Sequence, residues 1–179
     1  MKSNGYRTAL GGILSALSIT VMLLGSIIPF STYVVPVVAS VSVCYFCIEY
    51  NKRFALSIYV VITILAIFFV PDKETAFVFT FIFGPYPILK SIFENHTKRL
   101  TCWLLKILFF NIEVFITYFL LLKIFISSVL VDEFMGYSSI MLVGLVVAAN
   151  ITFVIFDIVL TRVISLYLRR LRPHLVKKR

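Results

Sequence analysis

Apolar residues run along this chain in six long stretches that short polar segments separate. The stretches cover residues 8–30, 33–50, 54–70, 75–93, 100–127 and 139–167. Each is close to the roughly 20 residues with which an α-helix crosses about 30 Å of hydrocarbon. Residues 51–53, Asn-Lys-Arg, separate the second stretch from the third and indicate a turn rather than one long helix. The pattern predicts an all-α, polytopic membrane protein, a compact bundle of six transmembrane helices in one domain over residues 1–179.

The composition agrees with a chain that lipid solvates. Hydrophobic residues make up 61% of the sequence and charged residues only 14%, against about 25% charged in soluble domains. A chain with so few charges cannot cover itself with polar surface. We therefore expect a multi-pass protein of the cell membrane, with the lipid bilayer as its main surrounding.

The charged residues between the stretches predict the orientation. The basic residues Lys2, Arg7, Lys52, Arg53, Lys98 and Arg99, together with six in the tail from Arg169 to Arg179, all fall on one side of a six-span arrangement. The other side carries Asp72, Lys73, Glu74, Asp132 and Glu133. Basic loops stay on the cytoplasmic side, so both termini are predicted to be cytoplasmic.

The net charge of +9 does not by itself indicate a nucleic-acid partner. The basic residues are divided among loop ends and a short tail, and no polar domain gathers them into one surface. The tail is expected to rest on anionic lipid headgroups, where each basic residue contributes about 1 kcal/mol. We therefore expect no binding of nucleic acid.

The residue types that usually carry catalysis or metal binding are sparse and poorly spaced. Cys44 and Cys47 lie in one apolar stretch, Cys102 begins another, and no histidine is near enough to complete a set of about four zinc ligands. There is no glycine-rich phosphate loop and no serine-centred elbow. We expect no enzyme activity, no cofactor and no metal.

Polar residues inside the last two stretches are informative, because burying them in a membrane is costly. Lys106 and Glu113 are seven residues apart and Thr117 continues their face, while Asn150 and Asp157 are also seven apart. Counted from the cytoplasmic ends, Lys106 and Asp157 lie about 9 and 15 Å deep, and Glu113 and Asn150 about 20 and 26 Å. Lys106 and Asp157 are therefore predicted to form a structural ion pair.

Glycine and proline interrupt the fourth stretch at Gly84-Pro85-Tyr86-Pro87. Proline lacks a backbone donor, so an α-helix should kink or break there, about 14 Å from the outer edge. Broken helices at this depth often form substrate sites. We predict an outward-opening pocket whose lining residues are Tyr86, Asn111, Glu113, Thr117 and Asn150. The alternatives are a proline kink absorbed by packing, and polar residues that only join neighbouring helices.

Small residues in the first stretch form two overlapping pairs, Gly11 with Ser15 and Gly12 with Ala16. Small residues four apart allow a second helix to approach closely. The pairs lie near the predicted cytoplasmic end, and Gly12 and Ala16 are predicted to form a docking face for a membrane partner. Packing inside the chain is the alternative.

The chain resembles the substrate-binding S component of energy-coupling factor (ECF) transporters. Residues 7–25, RTALGGILSALSITVMLLG, are similar to the first helix of such proteins, and residues 156–173, FDIVLTRVISLYLRRLRP, to their ends. The resemblance implies capture of a vitamin or similar micronutrient from outside. It also implies docking of the small-residue motif, here Gly12 and Ala16 with glycine replacing one alanine, onto a transmembrane T component that two cytoplasmic ATPases power.

A second function stays open. Small integral-membrane scaffolds of the MreD cell-shape type also have few spans and short loops. A small molecule bound in the outer half would favour transport, and co-purification with cell-wall or cytoskeletal proteins would favour the scaffold.

The topology can be tested by labelling single cysteines introduced into a cysteine-free background. Because the loop after the fifth span is predicted to be external, Glu133→Cys should react with an impermeant maleimide in intact cells. Lys98→Cys should react only after the membrane is opened. Labelling of Lys98→Cys in intact cells would contradict the six-span arrangement.

Overall fold

The computed structural model describes residues 4–28, 31–96, 98–125 and 139–172, and every regular element in these ranges is helical. The elements are α1 (Asn4–Gly25), α2 (Val34–Glu49), α3 (Lys52–Phe69), α4 (Lys73–Phe77), the π-helix π1 (Val78–Phe83), α5 (Tyr86–His96), α6 (Arg99–Phe125), α7 (Ser139–Leu166) and the π-helix π2 (Tyr167–Leu171). The predicted all-α fold is confirmed.

Five helical segments in the described residues are long and apolar enough to cross a membrane. They are Gly5–Gly25, Lys52–Phe69, Lys73–Asn95, Arg99–Leu121 and Ile140–Arg170. The remaining predicted span corresponds to α2, which is apolar but has only 16 residues. These lengths and compositions support a multi-pass integral membrane protein with the bilayer as its partner. The predicted cytoplasmic position of both termini stays a prediction.

Contacts divide the chain into two units, Met1–Ile126 and Ser127–Arg179. The first unit holds α1 to α6 with π1, and the second holds α7 and π2. The predicted single domain over residues 1–179 stays a prediction.

The fourth span, made of α4, π1 and α5, is the centre of the first unit. α1, α2 and α3 pack against one another, while the fourth span packs against α2, α3 and α6. In its most apolar window 67% of the residues are buried, against 22% for the span Lys52–Phe69. The segment that carries the glycine and the prolines is therefore the one that the others surround.

Apolar side chains face both the interior and the outside of the first unit. The fully buried members of its core include Met22, Val43, Phe46, Ile62, Ala66 and Phe79. Exposed residues such as Ile13, Leu17, Ile64, Leu104 and Leu108 are equally apolar. Lipid solvates these outer side chains, so the helices need no polar face.

The predicted interruption of the fourth span is a change of helix type. The α-helix ends at Phe77, π1 follows, and Gly84 and Pro85 form a turn before α5 begins at Tyr86. The Gly84 amide donates to the Phe79 carbonyl, five residues back, at 2.7 Å. The helix breaks where the sequence predicts, but the chain stays helical almost to the prolines because the wider π turn pairs the Gly84 amide with the Phe79 carbonyl.

The Thr80 carbonyl depends on a donor from another helix. Gly84, its partner in α-helical spacing, bonds Phe79 instead, and Pro85, its partner in π-helical spacing, has no N–H. The Tyr59 hydroxyl of α3 donates to this carbonyl at 2.7 Å. Tyr59 therefore supplies the hydrogen bond that the helix itself cannot make.

Close packing of Tyr59 also explains the glycine at position 84. A Cβ atom there would lie 2.7 Å from the Phe79 carbonyl oxygen and 2.7 Å from Cε2 of Tyr59. The first of these atoms is backbone and cannot move aside without breaking π1. Only glycine fits at this position.

We predict that Gly84→Ala destabilises the protein by about 1–3 kcal/mol, because its methyl group overpacks against backbone. Thermal unfolding of the detergent-solubilised protein would measure the loss. Gly12→Ala is the matched control, since a Cβ at Gly12 meets nothing within 4 Å. Equal stability of the two variants would contradict the role assigned to Gly84.

Candidate functional site

Three side chains from separate elements meet at one end of the first unit, and we call them the tyrosine–glutamate cluster: Tyr33, Glu74 and Tyr118. The Tyr33 hydroxyl donates to Oε1 of Glu74 at 2.7 Å, and the Tyr118 hydroxyl donates to the same oxygen at 3.0 Å. The two hydroxyl oxygens are 2.8 Å apart. The cluster joins the residue before α2, the first turn of α4 and the C-terminal part of α6.

The start of α4 fixes Glu74 in this position. Asp72 is the N-cap, and its Oδ1 accepts the Glu74 amide at 3.0 Å. Its Oδ2 accepts the hydroxyls of Thr75, at 2.5 Å, and of Thr32, at 3.2 Å. Such a cap stabilises a helix by about 1 kcal/mol, and here it also holds the segment before α2 against α4.

Tyr33 acts as a donor in the cluster at neutral pH. Burial of its hydroxyl raises the pKa of Tyr33 to about 12, and the neighbouring Glu74 carboxylate adds to the rise. The phenol is therefore protonated and can donate to the carboxylate.

Lys73, the basic residue next to Glu74 in the sequence, is engaged elsewhere. The Lys73 ammonium donates to the Ile67 carbonyl at 2.9 Å and to the Val70 carbonyl at 3.0 Å. It therefore satisfies carbonyl groups at the end of α3. Hydroxyl groups, rather than a cation, are the partners of Glu74 in the cluster.

Basic residues gather at the opposite end of the unit. The Arg7 guanidinium lies 5.2 Å from the centre of the Tyr50 ring, and the Lys52 ammonium donates to the Ser91 carbonyl at 3.3 Å. These contacts bring the start of α1 to the end of α2, and the start of α3 to α5. Basic residues that the sequence predicts on one side of the membrane therefore lie at one end of this unit, and the tyrosine–glutamate cluster lies at the other.

Lys106 pairs with a carboxylate that sequence reasoning did not assign to it. Its ammonium lies 2.7 Å from Oε1 of Glu94, and Lys90 lies 3.1 Å from the same oxygen. Packing of α5 against α6 brings these positions together. Asp157 belongs to the second unit, so the Lys106–Asp157 ion pair stays a prediction.

The predicted pocket residues of the first unit differ in exposure. Tyr86 and Thr117 are fully buried, whereas Asn111 and Glu113 are partly exposed. The Asn111 amide donates to the Ile107 carbonyl at 2.8 Å, and the Thr117 hydroxyl donates to the Glu113 carbonyl at 2.6 Å. Both of these bonds lie within α6, so they do not by themselves indicate a ligand.

The fifth predicted pocket residue, Asn150, lies on α7 in the second unit. Its amide donates to the Val146 carbonyl at 2.9 Å. A shallow, mainly apolar groove on α7 is lined by Val146, Val147, Asn150, Ile151 and Val154. The shared pocket of the five residues stays a prediction.

Glu113 combines an inward position with an accessible side chain. The exposed residues Leu108 and Phe115 of α6 lie roughly opposite to Glu113 on the helix. Lys106, Phe110 and Thr117 share its face and are buried, yet Glu113 is only partly covered. Its side chain is therefore partly accessible on the face of α6 that also carries these buried residues.

The two pairs of small residues on α1 face in different directions. Gly11 and Ser15 are buried, and a Cβ at Gly11 would lie 2.7 Å from Cδ1 of Ile58. Gly12 and Ala16 are exposed. The first pair packs inside the protein, and the second is open to the outside.

Sequence reasoning missed the tyrosine–glutamate cluster. It placed Glu74 among the charged residues between the stretches and did not single out Tyr118. The available signal was Asp72, an N-cap residue that places Glu74 in the first turn of a helix. The partners of Glu74 come from positions 33 and 118, and only tertiary packing brings them together.

Comparisons with known proteins leave the family undetermined. The chain matches no family of known proteins, and no curated protein or solved structure shows significant similarity to it. A functional assignment therefore depends on the residues and their geometry.

We predict that Tyr118→Phe and Tyr33→Phe each destabilise the protein by about 1–2 kcal/mol, since each removes a hydrogen bond to a carboxylate. The double variant should lose less than the sum, because the hydroxyls share one acceptor. Thermal unfolding in detergent would measure all three.

Tyr50→Phe is the control for this cycle. Its hydroxyl is buried without a hydrogen-bond partner among the described residues, so its removal should cost no stability. Strict additivity of the losses at positions 33 and 118 would show that the two tyrosines act independently.

Proposed function

We propose that this chain is the membrane-embedded substrate-binding subunit, or S component, of an ECF-type ABC importer. It would capture a vitamin or similar micronutrient from outside. A transmembrane T component and two cytoplasmic ATPases would be its partners in delivering the ligand. Binding would involve Tyr86, Asn111, Glu113, Thr117 and Asn150, and docking would involve Gly12 and Ala16.

The observation that carries the proposal is the outer face of α1. Gly5, Ala9, Gly12 and Ala16 are all exposed and lie on one side of the helix, and we call them the small-residue face. Glycine in a helix costs about 0.5–1 kcal/mol relative to alanine. At Gly12 no neighbouring atom lies within 4 Å of a Cβ position, so packing within the described residues does not require this glycine.

Close approach of another helix gives a physical reason for the small-residue face. Association between helices in lipid depends on packing and not on a hydrophobic driving force, so small residues that let two backbones approach are favoured at such contacts. The face lies on the half of α1 that begins near Arg7 and Tyr50. This is the end of the unit where basic residues gather, which is the predicted cytoplasmic end and the side where ATPases would act.

The interior of the first unit supports the binding half of the proposal. The fourth span contains a π-helix, and π-helical turns frequently occur at functional sites. Glu113 on the adjacent α6 keeps an accessible carboxylate on the inward face. A polar group at this depth is costly unless a partner or ligand meets it.

We predict that Gly12→Leu and Ala16→Leu reduce recovery of the coupling module about tenfold, because a bulky side chain at a close contact costs about 1–3 kcal/mol. The tagged chain would be co-expressed with the T component and both ATPases of its own organism, and the purified complex quantified. Native mass spectrometry of the same preparations would report any retained small molecule.

Two variants control this experiment. Gly144→Leu replaces another glycine whose Cβ position is open, and it should leave recovery unchanged. Gly11→Leu should unfold the isolated chain, since it collides with Ile58. Normal module recovery by both Gly12→Leu and Ala16→Leu would contradict the docking role. Recovery of cell-wall or cytoskeletal proteins, with no module and no retained ligand, would favour the scaffold function.

A further inference from the structure

Two carboxylates lie at different depths along the contact between α6 and the fourth span. Glu74 is level with Tyr118, to which it is hydrogen-bonded at 3.0 Å. Glu113 lies five residues before Tyr118 on α6, which corresponds to about 7.5 Å of helix rise. Glu113 shares a face of α6 with the buried residues Phe110 and Thr117, and α6 packs against π1. Glu113 therefore lies on the side of α6 that faces π1.

Basic side chains on the elements around this contact have their own bonds. The Lys73 ammonium donates to carbonyls at the end of α3, and Lys90 and Lys106 lie against Glu94. Lys123 is exposed, with its ammonium 6.0 Å from the centre of the Phe119 ring. Residues 78–83 of π1 contain no charged side chain. Among the described residues of the first unit, Glu113 thus has no basic partner.

We propose that Glu113 is the counter-charge for a positively charged ligand, and that the substrate class is small organic cations with an ammonium group. This inference rests on the proposed function and specifies its binding site. A carboxylate at this depth is costly when it is ionised and alone, and a bound cation offsets that cost. An anionic ligand would increase the repulsion and is excluded by the same argument.

The surroundings of Glu113 suit an organic cation. Glu74, on the same contact between α6 and the fourth span, adds a second negative charge. Negative charge gathered in one region of a protein raises the local concentration of a positively charged ligand.

The test uses choline and its uncharged isostere 3,3-dimethylbutan-1-ol, which share shape and differ in charge. Thermal unfolding of the full-length protein in detergent would be followed as each probe is titrated. Choline should stabilise the wild type and the isostere should not. Glu113→Gln should weaken the choline effect about tenfold to a hundredfold, because an ionic partner of the ligand is lost. Glu49→Gln, at the end of α2, is the matched control and should respond as the wild type does.

Three results would overturn the cation assignment: no response of the wild type to choline, equal responses to both probes, or a response retained in Glu113→Gln. The retained small molecule detected by native mass spectrometry gives a second readout. A neutral or anionic molecule, with the coupling module still recovered, would refute the cationic substrate class and leave the proposed function standing. If the coupling module is also not recovered, both the cationic substrate class and the proposed function are refuted.

Discussion

The requirement that backbone groups inside a membrane find hydrogen-bond partners governs the centre of this protein. Pro85 removes the donor that the Thr80 carbonyl would use in π-helical spacing, and the Gly84 amide already serves Phe79. In lipid an unsatisfied carbonyl costs several kcal/mol. The Tyr59 hydroxyl satisfies this one from α3. The fourth span is therefore tied to α3 by a bond that its own sequence makes necessary.

Packing around the fourth span follows from that bond. Tyr59 approaches so closely that position 84 has no room for a side chain. The same segment packs against α2, α3 and α6, so it positions the residues of α6 that face inward. The candidate site at Glu113 and the tyrosine–glutamate cluster both lie on helices that meet this span.

Charged side chains have different partners at the two ends and in the middle of the first unit. At one end Lys90 and Lys106 share the Glu94 carboxylate. At the other end Glu74 accepts two phenol hydroxyls. Between these ends the Glu113 side chain is partly accessible. Hydrogen bonds and ion pairs satisfy the carboxylates at the two ends, and Glu113 is the carboxylate for which we propose a ligand.

The sequence alone determines the helices, because length and composition decide whether a segment can cross a bilayer. The predicted spans 54–70 and 139–167 agree closely with α3 and α7. The position of the break was also predictable, since proline lacks a donor in any fold. The form of the break was not, because the carbonyl that it leaves unpaired at Thr80 is satisfied by Tyr59, which is 21 residues away. Tertiary structure alone decided that Lys106 meets Glu94, that Glu74 meets two tyrosines, and that Gly12 faces outward while Gly11 faces inward. In a chain that is apolar on every side, periodicity carries little information about which face is buried, and only the packing of one helix against another resolves it.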